Sequence, residues 1–266
     1  MIKVIAEIGW NHGGDIKLAK RMAKAAKDSG ADYAKYQTWS VDRLKPGAWD
    51  KDGRRKIYEK AELTWEDHIE LIKYCEEIDI TFLSSVFSIP DAELLVELGC
   101  LEVKIPSFES RNHDLIRYCS DNFDTIYLST GTSTYAEIED TFNFANHPDL
   151  YLLHCVSTYP CSPEIANIPR MNRLRKLTNK IGYSDHIESI ESAKVAIEHG
   201  AKVIEKHFTT NKKLPGRDNQ FAILPKDLKN LTDYLKLRNN MMIDHGPNYQ
   251  GCEQDSRQNY TGRFDG

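Results

Sequence analysis

Two histidines follow neighbouring apolar runs of the sequence and could share a metal ion. His186 closes the segment GYSDH, and His207 lies in the segment EKHFT. Residues 188–200, between the two runs, have the apolar spacing of a helix. A strand–helix–strand unit places its strands parallel and adjacent, so both imidazoles would lie at one sheet edge. Carboxylates beside them, Asp185 and Glu205, strengthen the prediction of a metal site.

Two lysines lie in apolar runs that would otherwise be buried strands. Lys35 and Lys104 each need a partner, because an unpaired buried ammonium is costly. That partner is either a protein carboxylate, such as Glu7 for Lys35, or a bound anion. Hydroxyls that could donate to phosphate oxygens follow the same strands, although one alone is more typical of a turn: Ser85, Ser107, Ser129 and Ser184. The chain has no P-loop and no GxGxxG segment, so a nucleotide cofactor is not indicated.

Strand and helix patterns alternate along most of the chain at the spacing of βα units. Eight apolar runs are predicted to be strands, at residues 3–8, 33–38, 80–84, 101–105, 125–129, 150–156, 180–184 and 202–206. Eight such units are typical of an α/β fold, the (β/α)8 TIM barrel, whose usual length of about 250 residues fits. A doubly wound open sheet is the alternative, because alternation alone does not show closure.

We therefore predict one barrel domain over residues 1–241 and a polar tail over residues 242–266. The tail is rich in Gly, Asn, Gln and Asp, which favours an extended or disordered segment when it stands alone.

Function in such a barrel belongs at the carboxyl ends of the strands. All eight predicted strands end in polar side chains, which is more than ordinary loop polarity explains. In chain order these are Glu7, Lys35 with Gln37, Ser84 with Ser85, Lys104 with Ser107, Ser129 with Thr130, His154 with Ser157 and Tyr159, Ser184 with His186, and Glu205 with His207. The ring indicates a site for an anion and a metal.

Charge and cysteine usage restrict the class of partner. A net charge of -5 at pH 7 argues against a general binder of nucleic acid or anionic membrane. The six cysteines have no CxxC spacing, so we expect reduced, mostly buried thiols in a cytoplasmic protein. The amino terminus enters a strand directly, and no apolar run is long enough to span a bilayer.

Taken together, these segments resemble the sialic acid synthase family, the N-acylneuraminate synthases and their legionaminate and pseudaminate relatives. The similarity runs in order through nearly the whole predicted barrel. The matching segments are IAEIGWNHGG at 5–14, KYQT at 35–38, LSTG at 128–131, LLHC at 152–155, GYSDH at 182–186, IEKHFT at 204–209 and LPGRD at 214–218.

The resemblance implies an enzyme that joins phosphoenolpyruvate to the open-chain aldehyde of an N-acylated amino sugar, such as N-acetylmannosamine. The products are a nine-carbon 2-keto acid and phosphate. A divalent metal, Mn2+ or Mg2+, is implied on His186 and His207. Substrate-binding positions are implied at Lys35, Gln37, Ser85, Lys104, Ser107, Ser129, Ser157 and Ser184, with the sugar near Tyr159 and Asp218. The implied catalytic carboxylates are Glu7, Glu109 and Glu205.

The sequence departs from the family pattern around the expected sugar site. Family members continue into a small antifreeze-like domain, which lends an arginine to the partner subunit in a swapped dimer. About 25 residues follow the last predicted helix here, too few for that domain, so we expect a differently completed sugar site or a different acceptor. A homodimer is therefore possible but is implied only by the resemblance to the family. Pro106 and Phe108 replace glycines, which adds bulk and stiffness near the phosphoenolpyruvate position.

Arg217 stands where proline is usual, and we hypothesise that it supplies the charge of that arginine. A solvated loop arginine is the alternative, and Arg257 or Arg263 reaching a neighbouring subunit is a second version. Other functions also stay open: condensation with a different or phosphorylated aldehyde, a catalytically silent barrel kept as a binding subunit, or a hydrolase using the same histidines.

Overall fold

The computed structural model describes residues 2–264 and contains a closed barrel of eight parallel strands. The strands are β1 (Lys3–Gly9), β2 (Tyr33–Thr38), β3 (Thr81–Val86), β4 (Glu102–Ile105), β5 (Thr125–Ser129), β6 (Leu150–Cys155), β7 (Ile181–Asp185) and β8 (Val203–His207). Each strand pairs with the next, and β1 closes the barrel on β8 with Glu7 opposite His207. The predicted TIM barrel is confirmed, and the open sheet is excluded.

The helices alternate with these strands as the periodicity predicted. They are α1 (Ile16–Asp28), α2 (Arg54–Ala61), α3 (Trp65–Glu77), α4 (Ile89–Glu97), α5 (His113–Asn122), α6 (Tyr135–Ala145), α7 (Met171–Leu174), α8 (Glu191–Glu198), α9 (Arg217–Phe221), α10 (Pro225–Met241) and α11 (Gln254–Asn259). The short helices α2, α9 and α11 were not predicted.

Local capping fixes where α3 and α6 begin. The Thr64 hydroxyl accepts from the Asp67 amide while the Asp67 carboxylate accepts from the Thr64 amide, which completes a capping box before α3. Thr134 and Glu137 make the same pair of bonds before α6. An aspartate therefore completes the capping box of α3 in the way that a glutamate completes that of α6.

The amino-terminal end of the barrel is filled by an aromatic and ionic cluster. The hydroxyls of Tyr33 and Tyr127 lie 3.1 Å apart, and both donate to Glu102, at 3.0 Å and 2.7 Å. The ammonium of Lys3 donates to the Tyr127 hydroxyl at 2.9 Å. Because packed side chains close this end, the polar residues at the carboxyl ends of the strands line the open end.

The chain divides into two compact units, residues 1–232 and 233–266. Residues 244–266, predicted to be extended when alone, contain a 3-10 turn at Gly251–Glu253 and the helix α11. None of the helices in the described part of the chain has the length and apolar character needed to cross a membrane. All six cysteines are free, and four of them are buried as expected.

Candidate active site

Two carboxylates and two lysines form a buried ionic network at the carboxyl ends of β1, β2, β4 and β8. The Lys35 ammonium lies 2.6 Å from Glu7 Oε2 and 3.7 Å from Glu205 Oε2, so its partner within the protein is a carboxylate. Gln37 Nε2 donates to the other Glu7 oxygen at 2.6 Å. Burial raises the pKa of Glu7 above its ordinary value, although Lys35 opposes the rise. The network holds two ammonium groups against carboxylates that differ in their tendency to ionise.

Lys104 is the less completely satisfied of the two lysines. Its ammonium donates to the Ile105 carbonyl at 3.1 Å and lies 4.0 Å from Glu205 Oε1. Burial lowers the pKa of Lys104, whereas burial is outweighed at Glu205, whose pKa is held down by Lys104 and Lys35. A lysine with one distant carboxylate can still accept an anionic ligand.

Hydroxyl groups converge beside this network. The Gly131 amide donates to Ser107 Oγ at 3.1 Å, and a Cβ placed at Gly131 would lie 2.4 Å from Ser157 Oγ and 2.7 Å from Ser107 Oγ. Ser184 Oγ donates to Glu205 Oε1 at 2.8 Å. The Ser129 hydroxyl is buried and has no hydrogen-bond partner among residues 2–264. A buried hydroxyl left free in this way suits a ligand oxygen.

Ser85 completes the hydroxyl side of the site. It is buried on β3, directly opposite Lys104 on β4 in the parallel register. Register partners on adjacent strands point to the same face of the sheet, so this hydroxyl and that ammonium border the same space.

The two histidines lie close together at the carboxyl ends of β7 and β8. The ring centroids of His186 and His207 lie 5.3 Å apart. His186 Nδ1 bonds to the Val156 carbonyl at 2.8 Å, which assigns its proton to Nδ1 and leaves Nε2 free as a ligand. Burial and neighbouring cations lower the pKa of His207 well below its ordinary value, so this ring is neutral near pH 7.

Both rings therefore fit a divalent metal. Burial disfavours a charge on His186, but Cys155 and Glu205 outweigh it and raise the pKa of His186, and the Glu205 carboxylate would also stabilise a bound cation. No group of three or more His, Cys, Asp or Glu side chains suited to a metal occurs among residues 2–264. Two imidazoles would thus supply only part of a coordination sphere, with water or substrate oxygens completing it.

Tyr159 and Asp218 border the histidine pair. The Tyr159 ring lies 4.1 Å from the His186 ring, and Arg217 donates to the Tyr159 carbonyl at 2.9 Å. Asp218 accepts a hydrogen bond from the Trp10 indole and lies 3.6 Å from His207 Nδ1. The two residues predicted to hold the sugar are thus placed beside the predicted metal ligands.

Two acidic residues take positions that the sequence did not indicate. Glu109 is half-buried outside the ionic network and accepts from Asn112 at the start of α5 at 2.8 Å. Asp185 binds the buried ammonium of Lys206 at 3.0 Å and the Ser192 hydroxyl at 2.6 Å. Asp185 therefore anchors the end of β7 to α8, whereas Glu205 lies within 4.0 Å of both Lys35 and Lys104.

Three neighbours of the site were missed in the sequence. Cys155 Sγ lies 3.8 Å from Ser157 Oγ and 3.9 Å from His186 Nδ1. Trp10 fixes Asp218, and Gly131 leaves room for two hydroxyls. The absence of a side chain at Gly131 was a readable signal, whereas the contacts of Cys155 and Trp10 depend on how distant strands register.

Comparison with known proteins identifies relatives over most of the chain. A model of the NeuB family matches residues 22–245. The N,N'-diacetyllegionaminic acid synthase of Campylobacter jejuni is 35% identical over 251 residues, covering 88% of this chain and 75% of that protein. The pseudaminic acid synthase of Helicobacter pylori is 35% identical over 249 residues, covering 88% of this chain and 73% of that protein.

A solved structure has the same architecture. The N-acetylneuraminic acid synthetase of Leptospira borgpetersenii, in complex with citrate, superimposes with a TM-score of 0.86 at 29% identity. The match covers 98% of this chain and 92% of that one.

Proposed function

The chain belongs to the NeuB family, and from that premise we propose that it condenses phosphoenolpyruvate with the aldehyde form of an N-acylated amino sugar. The product would be a nonulosonic 2-keto acid, released together with phosphate. The observation that carries the proposal is the buried Lys35–Glu7–Glu205–Lys104 network at the end of the barrel that also carries two adjacent imidazoles, with Glu7 opposite His207 in register. An anionic cosubstrate and a divalent cation are the ligands that such a pair of sites suits.

The residues of the chain would bind phosphoenolpyruvate as an anion. Lys35 and Lys104 would neutralise its charges, and hydroxyls would donate to its oxygens: Ser85, Ser107, Ser129, Ser157 and Ser184. Because phosphate leaves with cleavage of its C–O bond, these groups hold the substrate and stabilise the departing phosphate rather than transfer a phosphoryl group.

His186 and His207 would hold Mn2+ or Mg2+, which when bound supplies Lewis-acid polarisation of an aldehyde oxygen. C3 of phosphoenolpyruvate then forms a bond to the aldehyde carbon, and water adds at C2. The new alkoxide needs a proton and the attacking water needs a base. Glu7, Glu109 and Glu205 are the carboxylates that we propose for these proton transfers.

The proposal is tested by incubating the protein with phosphoenolpyruvate, Mn2+ and a panel of N-acyl amino sugars. Phosphate release is measured, and the product is detected by mass as the sugar plus phosphoenolpyruvate plus water minus phosphate. We expect both signals with at least one sugar and neither after addition of EDTA. A protein that binds neither Mn2+ nor phosphoenolpyruvate would instead be a silent barrel, and the proposal would be wrong.

A phosphorylated aldehyde is the second candidate acceptor, favoured by one observation. The Arg217 guanidinium lies 5.9 Å above the Tyr159 ring at the edge of the predicted sugar site. A guanidinium there could pair with a sugar phosphate. Including amino-sugar phosphates in the panel decides between the two acceptors.

A further inference from the structure

Aromatic residues follow the carboxyl ends of four consecutive strands. Trp10 comes directly after β1, Trp39 after β2 and Phe87 after β3, and Phe108 lies three residues beyond β4. Tyr58 of α2 lies between the first two indoles. We call these five residues the aromatic wall. It occupies the half of the barrel mouth made by β1–β4, whereas His186 and His207 come from β7 and β8.

The rings of the wall form a continuous chain of contacts. Centroid distances are 5.3 Å from Trp10 to Tyr58, 6.3 Å from Tyr58 to Trp39, 6.1 Å from Trp39 to Phe87 and 5.8 Å from Phe87 to Phe108. These separations are in the range in which aromatic pairs stabilise each other. The wall is therefore a packed surface rather than scattered rings.

Both ends of the wall adjoin the candidate active site. Phe108 stands between Ser107 and Glu109 in the sequence. The Trp10 indole donates to Asp218, which lies 3.6 Å from His207 Nδ1. A ligand that reached from the hydroxyl cluster to Asp218 would thus have a residue of the wall near each end.

The wall has two features that a ligand would satisfy. Phe108 is 55% exposed, although its ring stacks on Phe87, so apolar surface faces solvent beside a polar site. The Trp39 indole N–H is buried and has no acceptor among residues 2–264. None of the five side chains carries a formal charge, which argues against a phosphate as the occupant.

We propose that the aromatic wall binds the N-acyl group of the acceptor sugar, with its methyl carbon against the rings. An acyl group is the part of such a sugar that combines an apolar carbon with a carbonyl acceptor, and the wall combines apolar rings with one unpartnered donor. This inference rests on the proposed function, because it takes the acceptor to be an N-acyl sugar. Phe108, at the exposed end, would set the acyl length that is accepted.

The test measures affinity without turnover. Isothermal titration with Mg2+ present and phosphoenolpyruvate omitted compares N-formyl-, N-acetyl- and N-propanoylmannosamine on four proteins: the wild type, Phe108→Ala, Phe108→Leu and Leu101→Ala. Leu101 is a matched control, because it is exposed at the opposite, amino-terminal end of β4. Thermal unfolding verifies that each variant is folded.

For the wild type we expect affinity to rise about fourfold with each added carbon, the effect of burying one methylene group. Phe108→Ala should reduce this affinity gain per carbon to less than about twofold. Phe108→Leu should give an intermediate gain, and Leu101→Ala should give the same gain as the wild type. An equal affinity gain per carbon in the wild type and Phe108→Ala, or no sugar binding at all, would contradict the proposal that the aromatic wall binds the acyl group.

Adding phosphoenolpyruvate and measuring phosphate release separates the two proposals. If binding depends on the acyl group, this dependence is lost in Phe108→Ala, and no phosphate is released, then the aromatic wall binds the acyl group but the protein is not a synthase. If phosphate is released but the affinity ratios between the sugars do not depend on Phe108, then the protein is a synthase whose acyl group is bound elsewhere.

Discussion

The buried lysines differ in how completely the protein satisfies them. Lys206 has Asp185 Oδ2 at 3.0 Å and the Ser189 carbonyl at 2.9 Å, and it also donates to the Ile187 carbonyl. Lys104 has one carbonyl and a carboxylate 4.0 Å away. A fully bonded ammonium is structural, whereas a sparsely bonded one is available to a ligand. The lysines of β4 and β8 therefore serve different purposes.

Because of this contrast, we expect replacement by methionine to affect ligand binding at Lys104 and stability at Lys206. Lys104→Met should weaken phosphoenolpyruvate binding about tenfold to a hundredfold, the value of a charged hydrogen bond. It should cost less stability than Lys206→Met, because Glu205 keeps Lys35 and Ser184 as partners. Lys206→Met should cost about 3 to 5 kcal/mol of unfolding free energy, because Asp185 loses its buried partner. Calorimetric titration and urea unfolding measure the two effects. Equal losses of stability in both variants would contradict the assignment.

Arg217 tests how the sugar side of the site is completed. Arg217→Ala removes a donor to the Tyr159 carbonyl, so KM for the acceptor should rise about two- to fivefold with kcat unchanged. Lys212→Ala is the control, because its ammonium lies 3.5 Å from Glu188, away from Tyr159. An acceptor KM that does not respond would favour the solvated loop arginine and dispose of the hypothesis that Arg217 supplies the missing charge.

At the scale of elements, the loop after β5 shows how an absent side chain can position two others. The hydroxyls of Ser107 and Ser157 occupy the space where a Cβ of residue 131 would stand. The backbone of Gly131 has no positive φ, so alanine is tolerated there conformationally. The glycine is needed for room and not for backbone freedom.

Gly131→Ala should therefore damage function more than folding. A displacement of the two hydroxyls by about 1 Å is expected to lower kcat/KM for phosphoenolpyruvate about a hundredfold, while thermal stability changes little. Gly251→Ala provides the control, because a Cβ there meets nothing within 4 Å. Wild-type kinetics in Gly131→Ala would mean that these hydroxyls do not bind substrate.

The elements that the sequence revealed are those that bury a repeating apolar face. The eight strands were predicted to within about two residues, since buried parallel strands are short, almost continuous apolar runs. Helix α2 was missed because only Ala61 of its eight residues is buried, so it has no apolar stripe. Helix α9 spans five residues, too few for a periodic pattern.

At the scale of the whole molecule, the closed barrel accounts for what the sequence could locate in the site. Polar side chains at strand ends converge whenever the strands close, so Glu7, Lys35, His186 and His207 could be assigned to one site. Which polar group faces which depends on register and tilt between strands distant in sequence. For that reason Asp185 could not be assigned to Lys206, nor Glu109 to Asn112, before the structure.

Closure also buries groups that have no assigned part in the chemistry, and we expect one of them to make stability depend on pH. His12 in the loop after β1 is 3% exposed, and its Nδ1 accepts from the Gly14 amide at 3.1 Å. Burial lowers the pKa of His12 from 6.5 to about 4. Between these values the unfolded chain binds a proton that the folded chain does not, so stability is complete above pH 6.5 and falls towards pH 4.

His12→Asn should remove that contribution while keeping an acceptor for the Gly14 amide. Urea unfolding at several pH values should show the wild type losing about 3 kcal/mol more than the variant as the pH falls across this window. His245→Asn is the control, because the His245 side chain is exposed to solvent. If the free energy of unfolding varies with pH in the same way in the wild type and in His12→Asn, burial does not lower the pKa of His12 as proposed.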